Sequence, residues 1–97
     1  MNKADEFKAI TDKMLETFIA KNHDYGNSFD ISLDKHGPIA SIVRMEDKLN
    51  RFDTLSKKEL AMVKNESIED TLLDLANYSI MTLLWYRHLK DKAINAE

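Results

Sequence analysis

The chain has 97 residues, a formal net charge of −3 and no cysteine. One domain accounts for that length; a disulfide framework and thiolate metal sites are excluded, and the charge offers no global attraction to nucleic acid. Two glycines and one proline leave little turn chemistry for a β protein, while the plentiful Ala, Leu, Lys and Glu favour an all-α fold.

The segment from Met1 to Lys13 is polar, with no apolar stretch of the kind a secretory signal carries, so the expected setting is cytoplasmic. A first helix is expected from Lys3 to Lys21, because Phe7, Ile10, Met14 and Phe18 recur at steps of three and four, with Leu15 and Ile19 widening the stripe. Asn2 is its expected cap, and Asp5 and Glu6 suit the positive end of the helix dipole. The turn formers from Asn22 to Ser28 then predict a loop of about fifteen residues reaching Gly37-Pro38, long enough to suggest a functional loop.

Pro38 suits the first turn of a second helix, running to Phe52. Ser56-Lys57-Lys58-Glu59 has capping-box form and predicts a short connecting helix up to Lys64. Asn65 is the expected cap of a third, long helix from Glu66 to Lys90. Its middle, Leu72 to Tyr86, is apolar almost all the way round, yet it is interrupted by Asp74 and Asn77 and is shorter than the ~20 residues a membrane span needs. Such a helix is buried on every side, and two other helices can hardly cover it. The expectation is a helical bundle of three main helices and a short connecting one, completed as a homo-oligomer, a dimer or a tetramer.

On the second helix, Ile39, Ile42, Met45, Leu49 and Phe52 form the expected core stripe. Arg44, Asp47, Lys48 and Arg51 gather on another face, one carboxylate among three cations. Taken alone, that face reads most simply as solvated residues carrying weak salt bridges. On the third helix, Glu66, Asp70, Asp74 and Asn77 step by four, four and three into one polar line. The first two acids are compatible with simple capping. Asp74 is different, because leucines flank it, and an unpaired buried carboxylate must find a cation or a metal.

Two readings of Asp74 follow. One is a structural ion pair with Arg44, Lys48 or Arg51. The other has Asp47, Glu66, Asp70 and Asp74 converging from two facing helices on Mg²⁺, or Mn²⁺, as inward-facing acids do in helix bundles. Arg44, Lys48 and Arg51 would then hold phosphate oxygens. Glu46, nearer the apolar stripe than Asp47, is either an inward-facing ligand or a boundary residue. His23, Asp24 and Tyr25 stand either as a ligand contact at the mouth of the site or as turn residues. His36 and His88 read as surface, and Trp85 and Tyr86 as core or interface.

Three segments carry a family resemblance: His23-Asp24-Tyr25-Gly26, Arg44-x-x-Asp47-Lys48-x-x-Arg51, and Glu66-Ser67-Ile68-x-Asp70-Thr71-x-x-Asp74-Leu75-Ala76-Asn77-Tyr78. They resemble a small phage and bacterial family described as nucleotide-modification-associated, itself similar to a branch of the MazG-like, all-α nucleoside triphosphate pyrophosphatases. The resemblance covers residues 20 to 82. It implies Mg²⁺-dependent cleavage of a nucleoside triphosphate between its α and β phosphates, releasing a monophosphate and pyrophosphate, in a bacterium or a phage-infected host. It implies metal binding by Asp47, Glu66, Asp70 and Asp74, and phosphate or nucleotide contacts from Arg44, Lys48, Arg51, His23, Asp24, Tyr25 and Asn77. Glu46 and Glu69 are the candidates for general base. The first motif of that superfamily, Glu-Glu-x-x-Glu, reads Glu46-Asp47-Lys48-Leu49-Asn50 here, and Thr71 stands at the glutamate position of the second. With those departures the alternative function is a non-catalytic helical accessory that binds a nucleotide or a protein partner.

Overall fold

The computed structural model describes residues 2–25, 27–57 and 65–96, and among these the side chains of all but 24–25, 65–67 and 93–96. The described residues form four helices and no strand: α1 (Lys3–Tyr25), α2 (Ser28–His36), α3 (Ile39–Lys57) and α4 (Asn65–Ala96). Most of the expected connecting helix, residues 58–64, lies outside the described residues.

α1 starts where its cap predicts. The Asn2 Oδ1 accepts the Asp5 backbone N–H at 2.8 Å, with Asp5 and Glu6 in the first turn. It does not stop at Lys21 but runs through Asn22, His23 and on to Tyr25. Turn-forming residues are only mildly unfavourable in a helix, and tertiary context overrides them.

The expected long loop is largely helix α2, nine residues long. Phe29 and Leu33, one turn apart, give it an apolar face, and Leu33 is fully buried. Asp30 lies in its first turn and Lys35 and His36 in its last, the arrangement the dipole favours. α2 ends at Gly37, whose N–H donates to the Leu33 carbonyl at 2.7 Å. There φ is 76° and ψ is −166°, a conformation kept almost entirely for glycine. Pro38 follows, and its carbonyl accepts the Ile42 N–H at 3.0 Å, so α3 begins at once.

α3 and α4 run antiparallel along a seam that can be followed residue by residue. Ser41 meets Thr82, Met45 meets Ser79, Lys48 meets Asp74 and Arg51 meets Thr71. The Thr82 hydroxyl gives its proton to the Tyr78 carbonyl. Ser41 must therefore donate to Thr82, since each hydroxyl has one proton. Ser41 and Thr71 are buried.

This seam corrects the expected core face of the second helix. Ile39, Ile42 and Leu49 are exposed, and the row turned toward α4 runs through Ser41, Met45 and Lys48. The small Ser41 and hydroxyls that bond across the seam satisfy the polar groups that close helix packing buries. By helical geometry Ile42 and Leu49 lie on the same flank of the seam as Leu72 and Leu83, and all four are exposed.

α1 packs on the other side of α4 through the buried Met14. Phe7 and Ile10, in its first half, are exposed. Buried apolar side chains are few: Met14 and Leu33 among the described residues. The molecule measures 56 × 31 × 25 Å, with a radius of gyration of 16.0 Å, against about 12.5 Å for a compact chain of this length. None of the described helices is long and apolar enough to cross a membrane.

Candidate functional site

All four helices line one groove of about 490 Å³, within the usual range for small-molecule sites. α1 supplies Phe18, Lys21 and Asn22, α2 supplies Phe29 and Asp30, and α3 supplies Arg44 and Lys48. α4 lines its length from Asp74 through Asn77, Tyr78, Met81 and Leu84 to His88.

Arg44 is held by aromatic rings. Its guanidinium lies 5.6 Å from the Phe29 centroid and 5.9 Å from that of Tyr78. Those two rings are themselves 5.4 Å apart and tilted by 47°. No carboxylate pairs with Arg44 among the described residues. A ring face orients a guanidinium without neutralising it, so this charge remains available to an anion in the groove.

Lys48 is placed differently, with its Nζ 3.0 Å from the Asp74 carboxylate. That contact is the ion pair foreseen from the sequence, but the setting is wetter than the flanking leucines imply. The two side chains are 29% and 36% exposed. Arg51 turns away from the groove, and its Nε donates to the buried Thr71 Oγ1 at 3.2 Å.

The acids are only partly gathered. Asp70 and Asp74, one turn apart, line an adjoining cavity of about 380 Å³ with Asn77, facing Lys13 and Lys21 of α1. Asp47 is exposed and lines neither cavity; the same holds for Glu46 and Glu69. His23 is exposed in the last turn of α1. The side chains of Asp24, Tyr25 and Glu66 lie outside the described residues. No three acids or histidines converge on a metal position among the described residues. Two carboxylates do suit Mg²⁺, which binds through one or two of them together with substrate phosphates. The donor set thus fits an ion carried in on a nucleotide better than a resident one.

Several groove residues escaped the sequence reading. Phe29 was hidden because α2 is shorter than the window in which helical periodicity is visible. Lys21 sits three residues past Phe18, and His88 four past Leu84, steps that continue the apolar stripes onto the groove wall. His88 is exposed, as expected, yet it lines the groove. Trp85 donates its Nε1–H to Asp34 of α2 at 2.9 Å, so it is an anchor between helices.

No curated protein and no solved structure matches the chain. One family model does, over residues 21–85, from the last residues of α1 through α2 and the α3–α4 seam to Trp85. That span is well over half of the chain and contains Arg44, Lys48, Asp70, Asp74 and Asn77, and on it the chain belongs to the family described as nucleotide modification associated domain 1.

Proposed function

We propose that the chain binds a nucleotide by its phosphates in the four-helix groove and acts on it as a Mg²⁺-dependent pyrophosphohydrolase of the MazG-like kind. The observation that carries the reading is Arg44, oriented by Phe29 and Tyr78 and without a carboxylate partner among the described residues. Its planar fork suits bidentate contact with a phosphate. Lys21 and Lys48 add positive charge along the same wall. The nucleotide association of the family supports the choice of ligand.

Mg²⁺, where bound, would be held by Asp70 and Asp74, with Asp47 and Glu66 as the further ligands expected from the sequence. It would neutralise phosphate charge and make a water more acidic. The chain's own groups bind and orient. Arg44 fixes the phosphates, Lys48 balances Asp74 while reaching into the groove, and Asn77 lines both cavities with an amide that can donate and accept. Glu46 and Glu69 line neither cavity, so a general-base role for either requires a second copy of the chain to bring it in.

A homo-oligomer is part of the same reading. The chain exposes 7867 Å², roughly 2,000 Å² more than the about 5,700 Å² of a compact monomer of its mass. A standard interface covers about 800 Å² on each partner. The exposed flank of Ile42, Leu49, Leu72, Ile80 and Leu83 is the surface we assign to a second copy.

A second reading, a non-catalytic nucleotide-binding accessory, is favoured by Thr71. It stands where the superfamily places a glutamate, and here it is buried in the seam and bonded to Arg51. Incubation with Mg²⁺ and a panel of canonical and modified nucleoside triphosphates separates the two. Release of pyrophosphate from at least one, abolished in Arg44→Ala, is the expected result. Mg²⁺-dependent binding without release would leave the accessory reading, and neither binding nor release would sink both.

A further inference from the structure

The groove is not uniform along its length. One end carries Arg44, Lys48 and Asp74. The other is walled by Phe18, Met81 and Leu84, with no charged group but His88 at its rim. Along α4 the change is gradual. Met81 lies seven residues past Asp74, two turns or about 10 Å at the helical rise, and Leu84 about 15 Å past it. That distance is comparable to the reach of a nucleotide from its 5′ phosphate to its base.

We propose that the apolar end seats the base of a nucleoside 5′-phosphate, and that Phe18 and Leu84 determine how tightly a base is held. The inference rests on the phosphate-binding reading above and assigns the remainder of the same groove. Its physical basis is complementarity at both ends. A nucleotide is an anion at one end and a flat, largely apolar ring at the other, and the groove presents cations and an apolar wall in the same order. Between them, Asn22 and Asn77 offer amides that no side chain of the described residues occupies. Each has donors and an acceptor for the polar edge of a base or for a sugar hydroxyl. Phe18 and His88 both fall outside the matched span of 21–85, so this end is a feature of the chain beyond the part that defines its family.

Calorimetric titration of the full chain in Mg²⁺ tests the assignment, with the four 2′-deoxynucleoside 5′-monophosphates compared against 2-deoxyribose 5-phosphate. The sugar phosphate keeps the anion and lacks the base. At least one nucleotide should bind about tenfold or more tightly than the sugar phosphate, the scale of one base stacked on a ring. Leu84→Ser, at an exposed position, should remove that advantage and leave sugar phosphate binding unchanged. Phe18→Ala should do the same, with circular dichroism verifying that it is folded. Arg44→Ala should weaken both ligands. If sugar phosphate and nucleotides bind equally, or if Leu84→Ser weakens both alike, the base assignment falls while phosphate binding stands. If the wild type binds none of them, both fall.

Discussion

Asp74 was the residue that the sequence made most conspicuous, a carboxylate set among leucines. The structure gives it a cation and a share of solvent, which changes the size of the effect to expect. A buried pair broken by removing one partner costs about 3–5 kcal/mol. A half-exposed one such as Lys48–Asp74 is worth at most about 1 kcal/mol. Asp74→Asn should therefore shift the denaturant midpoint only slightly, while Mg²⁺-dependent nucleotide binding drops sharply. A stability loss of about 3 kcal/mol with ligand binding intact would make Asp74 a structural residue and remove it from the site. Arg44 teaches the complementary lesson. Its spacing to Asp47 and Lys48 suggested a solvated ion-pair face, yet rings rather than carboxylates hold it, and rings leave its charge uncompensated.

At the scale of elements, the weight falls on the short connection between α2 and α3. Gly37 adopts a backbone conformation that other residues reach only with strain, although a Cβ there would meet nothing within 4 Å. Gly37→Ala should thus cost about 1–3 kcal/mol through backbone strain alone, measured by chemical denaturation. A loss below a few tenths would mean that the turn relaxes freely. The three long helices were legible because their apolar periodicity extends over many turns, and the Asn2 cap was legible because its chemistry is local. α2 was not legible, since one Phe29–Leu33 pair amid turn formers carries too little periodic signal. With α2 went half of the groove, including the ring that orients Arg44. The face of α3 was misread for another reason. Amphipathicity locates the apolar stripe without saying what covers it, and the seam with α4 is built from Ser41, Met45 and Lys48 beside that stripe.

The whole molecule is extended, and its apolar flank is a property that neither residues nor helices reveal separately. If a second copy covers Ile42, Leu49, Leu72, Ile80 and Leu83, thermal stability should rise with protein concentration, as mass action requires. Sedimentation should give a multiple of the 11.2 kDa chain mass. Leu83→Glu places a charge on a position already 46% exposed in the single chain, so it should shift the population toward single chains without unfolding them. A wild-type chain that sediments at 11.2 kDa at every concentration would refute the oligomer.

Trp85 is the one tryptophan in the sequence, and its indole N–H is spent on Asp34. The chain's ultraviolet emission therefore comes mainly from a chromophore whose hydrogen bond exists only while α2 is docked on α4. Because Phe29 on that same helix forms part of the groove wall, the protein carries a built-in optical gauge of whether its groove is assembled.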